Sequence, residues 1–178
     1  MEKYSFILKD SRELVIRKAT EEDAEKVLEY LNIIGGETDF LSFGVEGLNI
    51  TLEEERNYFK NSTAKNFFLI AEIEEKIVGN CSISTNEKRV RLKQFGELGI
   101  VVLKECWNLG IGNKLIETAL LLGKNGGLKK VNLETRSDNK KAIVLYKKLG
   151  FKEEGTIKRG ILIDEKFYDL LVMGIEID

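Results

Sequence analysis

The chain has 178 residues, with 28 basic and 30 acidic side chains, a formal net charge of -2, and neither histidine nor proline. That length suits one domain spanning 1–178, able to bury roughly 70% of the surface its unfolded chain exposes. A composition of 43% hydrophobic and 33% charged residues is that of an ordinary globular protein. The absent histidine excludes a Ser-His-Asp triad, a Cys-His pair, a His-liganded zinc and an imidazole base. Proton chemistry near neutral pH must therefore use carboxylates, tyrosine, lysine, cysteine or water. Cys81 and Cys106 form no CxxC pair and read as small buried hydrophobes, so no metal is expected. The start, Met1-Glu2-Lys3-Tyr4, lacks a secretory signal, and runs such as Phe67 to Ala71 are too short to span a membrane. A near-neutral charge without a basic block argues against nucleic acid, and the expected location is the cytoplasm.

In chain order, Tyr4 to Leu8 and Glu13 to Lys18 alternate as strands around the turn Asp10-Ser11-Arg12. Thr20-Glu21-Glu22-Asp23 reads as a capping box that opens a helix with Val27, Leu28 and Leu31 on its apolar face. A loop at Gly35 to Asp39 leads to a second helix from Thr51 to Tyr58. Phe67 to Ile73 and Ile77 to Ser84 form an antiparallel hairpin, and a further strand runs from Gly96 to Leu103. A glycine turn, a helix from Gly110 to Gly123, a strand from Val131 to Thr135 and a helix from Asn139 to Leu149 follow. Strands at Lys152 to Leu162 and Phe167 to Ile175 close the chain. The order β-β-α-α-β-β-β-α-β-α-β-β predicts an α/β fold with a mixed, mostly antiparallel central sheet flanked by helices. One parallel β-α-β crossover is expected.

The segment with most chemical information is Ile100-Val101-Val102-Leu103-Lys104-Glu105-Cys106-Trp107-Asn108-Leu109-Gly110-Ile111-Gly112-Asn113. A β-branched strand passes through a short loop into Gly-x-Gly at a helix start. Glycine permits close backbone approach, and the first amides of a helix lack partners of their own. With the helix dipole they form a site for phosphate or pyrophosphate. A dinucleotide fingerprint fails because Leu115 occupies its third glycine position, although Glu134 sits near where that motif has its ribose acid. A P-loop fails because Gly112-Asn113-Lys114 is not Gly-Lys-Ser/Thr. The plain alternative is a glycine-rich helix entry chosen for packing.

A second constellation, Asn139-Lys140-Lys141-Ala142-Ile143-Val144-Leu145-Tyr146-Lys147-Lys148-Leu149-Gly150-Phe151, puts Asn139 and Tyr146 on one helical face. They lie roughly 10 Å apart along the axis, with the small Ala142 between them. Taken singly, Asn139 reads as a helix cap and Tyr146 as a core aromatic.

Together the two segments resemble the GNAT superfamily of acetyl-CoA-dependent N-acetyltransferases, including its amino-acid and ribosomal-protein acetyltransferases. That family's pyrophosphate motif, Gln/Arg-x-x-Gly-x-Gly/Ala, is matched by Trp107-Asn108-Leu109-Gly110-Ile111-Gly112. Its second signature is matched at Asn139, Ala142, Leu145, Tyr146, Gly150 and Phe151. Trp107 departs from the usual Gln or Arg and removes a side-chain donor to the phosphates. The resemblance implies acetyl-CoA as acyl donor, without a metal. The backbone of Ile100, Val101 and Val102 would pair with the pantetheine arm, and amides from Asn108 to Asn113 would hold the pyrophosphate. Asn139 would hydrogen-bond the pantetheine, and Tyr146 would face the departing sulfur. It also implies a homodimer.

The implied reaction is direct transfer of the acetyl group to a primary amine of a small molecule or peptide N-terminus. The acceptor, an ammonium with pKa near 10, must first lose a proton. Candidate bases are Glu97, in Gly96-Glu97-Leu98-Gly99, and Glu134, in Leu133-Glu134-Thr135-Arg136, each acting directly or through water. Exposed strand carboxylates paired with a cation are the plain alternative, and Glu97 is preferred. Glu37, Asp39 and Phe40 in the loop between the first two helices, with Phe167 and Tyr168 in the closing hairpin, are expected at the acceptor wall. The rival reading is a sensor or regulatory module that binds acetyl-CoA without turnover.

Overall fold

The computed structural model describes residues 2–44 and 46–178. It contains strands β1 (Lys3–Ile7), β2 (Glu13–Lys18), β3 (Phe67–Ile73), β4 (Lys76–Ser84), β5 (Phe95–Val102), β6 (Lys130–Arg136), β7 (Lys152–Ile163) and β8 (Lys166–Glu176). The helices are α1 (Ala24–Gly35), α2 (Leu52–Lys60), α3 (Ile111–Asn125) and α4 (Lys140–Lys148). The order matches the sequence expectation. One sheet runs β1-β2-β3-β4-β5-β6-β8-β7. Every neighbouring pair is antiparallel except β5–β6, joined in parallel through α3.

Local sequence accounts for most boundaries. β3, Phe-Phe-Leu-Ile-Ala-Glu-Ile, has no polar alternation because helices cover both of its faces, and six of its seven residues are buried. Phe68 meets Phe59 and Tyr58 of α2 at 5.3 and 6.4 Å between ring centres on one face. On the opposite face a Cβ at Gly79 would lie 3.1 Å from Leu115, and one at Gly96 would lie 3.0 Å from Leu128. Fully buried side chains such as Leu14, Ile16, Leu69 and Ile83 each contribute about 2 kcal/mol through water exclusion.

The expected capping box at Thr20–Asp23 is present, but it opens a 3₁₀ turn rather than the α-helix itself. That turn spans Glu21–Asp23 and precedes α1. The Asp23 carboxylate accepts from the Thr20 amide at 2.8 Å and also from Arg17 at 2.7 and 2.8 Å, while Arg17 also donates to Glu72. That double attachment tightens the first turn. α2 follows the capping-box rule, with the Thr51 hydroxyl accepting from the Glu54 amide at 3.2 Å and the Glu54 carboxylate accepting from the Thr51 amide at 2.7 Å. Both cysteines are free and buried. Among the described residues no helix is long and apolar enough to cross a membrane.

Candidate active site

The parallel junction between β5 and β6 is short. Only Phe95–Lys130, Gly96–Val131 and Glu97–Asn132 are in register, after which the strands part while remaining paired to β4 and β8. The direction of the backbone on each bank follows from the ladders. The Leu103 amide donates to the Val78 carbonyl, so strand alternation turns Gly99 and Val101 toward β4 and turns Leu98, Ile100 and Val102 into the opening. On the other bank the Ser137 amide donates to Asp169 and the Ile177 amide to Lys129, which turns the backbone of Glu134 and Arg136 into the opening. Two strand edges thus face one another across a wedge that an extended chain can enter. Of the three residues expected to pair with such a chain, Val101 differs. Its backbone faces β4, and its carbonyl also accepts the Tyr30 hydroxyl at 3.2 Å.

Beyond the wide end, the loop into α3 turns through two left-handed residues, Asn108 (φ 65) and Gly110 (φ 93). The first bond of the helix is the Lys114 amide to the Gly110 carbonyl at 3.2 Å. The six amides from Asn108 to Asn113 make no hydrogen bond among the described residues. A Cβ at Gly110 would meet nothing within 4 Å, so the face above the turn is open. Unpartnered amides at a helix N-terminus, with its positive dipole end, suit a pyrophosphate. Trp107 has a different task from a phosphate donor. Its indole N–H donates to the Val102 carbonyl at 2.8 Å and ties the loop to the end of β5. The Lys141 ammonium lies 5.7 Å from the Trp107 ring centre, adding positive charge beside the cradle.

α3 and α4 approach where a Gly112 Cβ would sit 3.3 Å from Leu145 and 3.8 Å from Ile100. Asn139 caps α4, its side-chain carbonyl accepting from the Ala142 amide at 3.4 Å. Its Nδ2 has no protein acceptor among the described residues, so capping leaves a donor in hand. Tyr146 is buried, with its ring 5.9 Å from that of Phe151. Burial, and then the nearby Cys81 thiol, push its phenol pKa well above the ordinary value. Cys81 pairs with Ile100 across β4–β5, so Tyr146 stands on the helix side of the wedge at that level.

The carboxylates lie on the opposite face of the sheet. Glu97 is at the apex, in register with Asn132 and Ser84, at the edge of a cleft of about 750 Å³. Glu134 is two residues farther along β6 and exposed, level with Gly99 across the opening. Three of the residues expected at the acceptor wall, Asp39, Phe40 and Tyr168, converge on a group that the sequence did not signal. Arg136, 6% exposed, ends β6 on the same face as Glu134. Its guanidinium lies 3.6 Å from the Tyr168 ring centre and 4.7 Å from that of Phe40. It donates to both carboxylate oxygens of Asp138, at 3.0 and 2.6 Å, and to the Asp39 carbonyl at 3.1 Å. Glu37 accepts the Lys104 amide at 2.8 Å, so its carboxylate serves the loop first. Phe167 lies apart from this group, stacked on Arg159 at 3.8 Å.

A family model described as Acetyltransferase (GNAT) family matches residues 38–151, which include the wedge, the amide cradle and α4. An acetyltransferase of the GNAT family from Streptococcus pneumoniae superposes with a TM-score of 0.89 at 35% identity, over 92% of this chain and 99% of that one. A putative phosphinothricin acetyltransferase, YwnH, of Bacillus subtilis (strain 168) is 27% identical over 72% of this chain and 79% of its own length. The fold is also that of YncA from Salmonella typhimurium, solved with its cofactor acetyl-CoA, at TM-score 0.81 and 17% identity over 93% of this chain and 94% of that one. A diverging strand pair beside an unpartnered amide turn, with a family match spanning both, makes this chain a member of the acetyltransferase (GNAT) family and an acetyl-CoA-dependent N-acetyltransferase.

Proposed function

We propose that residues 1–178 act as one domain that transfers an acetyl group to a primary amine of a small molecule or peptide N-terminus by direct attack. The observation that carries this reading is the wedge: the backbone of Ile100 and the amide of Val102 face the opening on one bank without a strand partner, and the amide turn at Asn108–Asn113 lies beyond its mouth. Acetyl-CoA fits both features, one as an added strand and the other as a pyrophosphate cradle. When bound, it supplies a thioester activated toward amines. Every remaining task falls to side chains and backbone of this protein. Val102 offers its amide, and its carbonyl keeps a second lone pair beside the Trp107 indole. Asn139 offers Nδ2 from the first turn of α4.

The amine loses its proton to a carboxylate, directly or through one water. Glu97 approaches from the apex and Glu134 from the opposite bank, both on the face away from Tyr146. Base and acid therefore act from opposite sides of the sheet, which keeps them from neutralising one another. Tyr146 remains protonated across the working pH range and donates a hydrogen bond to the departing sulfur. Full transfer from an ordinary phenol to a thiolate is roughly 2 kcal/mol uphill, and more from a buried one, so solvent completes the protonation.

The reading is supported for the acceptor end by Phe40 and Tyr168, which flank the carboxylate face, and by relatives named for amine acceptors. We extend it to a cytoplasmic homodimer. A screen of amino acids, peptides, polyamines and amino sugars with acetyl-CoA, following thiol release, is the direct test. One class should be acetylated, whereas stabilisation by CoA without turnover of any amine would favour the sensor reading. Glu97→Gln and Glu134→Gln, compared by pH–rate profile, identify the base. The variant lacking it should lose the acidic limb, and two unchanged profiles would remove carboxylate catalysis from the mechanism.

A further inference from the structure

The loop between α1 and α2 is attached to both banks of the wedge. On the β5 side, Glu37 accepts the amide of Lys104, 67 residues away. On the β6 side, the Asp39 carbonyl accepts from Arg136, 97 residues away, and Phe40 covers the guanidinium. Arg136 is in turn fixed in the plane of its contacts by Asp138 and by the Tyr168 ring. A segment of four residues, Glu37 to Phe40, thus lies across the wide end of an opening where β5 and β6 are no longer paired.

A buried guanidinium is an expensive way to fill space, since an apolar side chain of similar size avoids its desolvation. What only arginine supplies is a flat, multidentate joint: two bonds to one carboxylate, one to a loop carbonyl, and two faces for rings. The joint stands one strand step beyond Glu134 on the same sheet face, roughly 7 Å along β6. An amine approaching Glu134 from the wide end of this face passes the loop that the joint holds, whereas Glu97 lines the separate cleft at the apex.

We propose that Arg136 is a positioning residue for the amine acceptor, acting through the α1–α2 loop rather than touching the reacting atoms. This rests on the acetyl-transfer reading above. By holding Asp39 and Phe40 down on β6, Arg136 sets the width of the acceptor entrance, and among the described residues it makes no hydrogen bond to the amide cradle. A shortened or narrower side chain lets the loop lift and loosens acceptor binding without changing the grip on CoA.

The test uses Arg136→Met, which keeps length and loses the fork, Arg136→Lys, which keeps charge, and Phe40→Ala, an exposed change that removes one stacking face. Each variant is first checked for thermal unfolding and for CoA affinity by calorimetry. Amide exchange over residues 37–41 of the free protein and steady-state kinetics with an accepted amine are then measured. The expected result is loop exchange faster by roughly tenfold in Arg136→Met, with Arg136→Lys intermediate, and acceptor KM raised by a similar factor. The KM for acetyl-CoA should stay within about threefold. Phe40→Ala should reproduce the loosening in part, which keeps the test decisive if Arg136→Met fails to fold. Unchanged exchange overturns the clamp whatever the kinetics. Faster exchange with unchanged acceptor KM overturns its role in acceptor binding. A wild type that acetylates no amine refutes the transfer reading, and the acceptor role with it, while the exchange data still decide the clamp.

Discussion

Replacing Glu55 by glutamine should stabilise the protein progressively as the pH rises. Glu55 lies in the first turn of α2 and is 4% exposed, with no hydrogen bond or ion pair to its carboxylate among the described residues. Burial alone pushes its pKa from the usual 4.5 up to about 7. The folded state therefore holds this proton more tightly than the unfolded state does. Its ionisation costs nothing below about pH 4.5, a growing amount between 4.5 and 7, and a constant amount above. At 1.36 kcal/mol per pKa unit the full cost is about 3 kcal/mol, of which about 2.5 develops between pH 5 and pH 8. The positive end of α2 offsets less than about 1 kcal/mol. Urea unfolding of wild type and Glu55→Gln at pH 5, 6, 7 and 8 reads the effect as a difference that widens with pH. The pH-independent consequences of the substitution cancel in that comparison. Two stability curves running parallel from pH 5 to pH 8 would refute the reasoning, because Glu55 would then ionise like an exposed glutamate.

Three further outcomes are expected. Tyr146→Phe should lower kcat by roughly 10- to 100-fold while leaving unfolding nearly unchanged, since no group among the described residues bonds the hydroxyl; thiol release and thermal melts check both. Gly110→Ala should cost about 1–2 kcal/mol through its φ of 93 alone, because the space above the turn is open, and should also weaken CoA binding measured by calorimetry. Trp107→Phe should lose about 1 kcal/mol of stability with the indole–Val102 bond, read by urea unfolding, and an equal stability would show that this bond does not hold the cradle.

Much of the site was legible in the sequence where the signal is local. The turn at Gly110 needs a left-handed residue, and a glycine before an amphipathic helix is visible as such. The helical repeat predicts one face for Asn139 and Tyr146, and the structure places Tyr146 within α4 and Asn139 at its N-cap, the role that Asn139 alone suggests. Local sequence carries less where two distant segments decide the outcome. Ile100, Val101 and Val102 look alike as a β-branched run, but only the ladder with β4 turns the first and last into the opening and the middle one away. Trp107 looked like a lost phosphate donor and instead bonds the strand that precedes it. Glu37 reads as part of the acceptor wall and instead accepts a backbone amide.

By itself the sequence determined the order of elements, the caps of α2 and α4, the amide turn, and the exclusion of imidazole from the chemistry. These follow from periodicity, backbone freedom and residue inventory, which act within a few neighbours. The parting of β5 from β6 after Glu97, the burial of Glu55 and the joint at Arg136 were decided only by tertiary structure. Each depends on contacts across tens of residues, 97 in the case of Arg136 and Asp39, and no local pattern records a partner that far away.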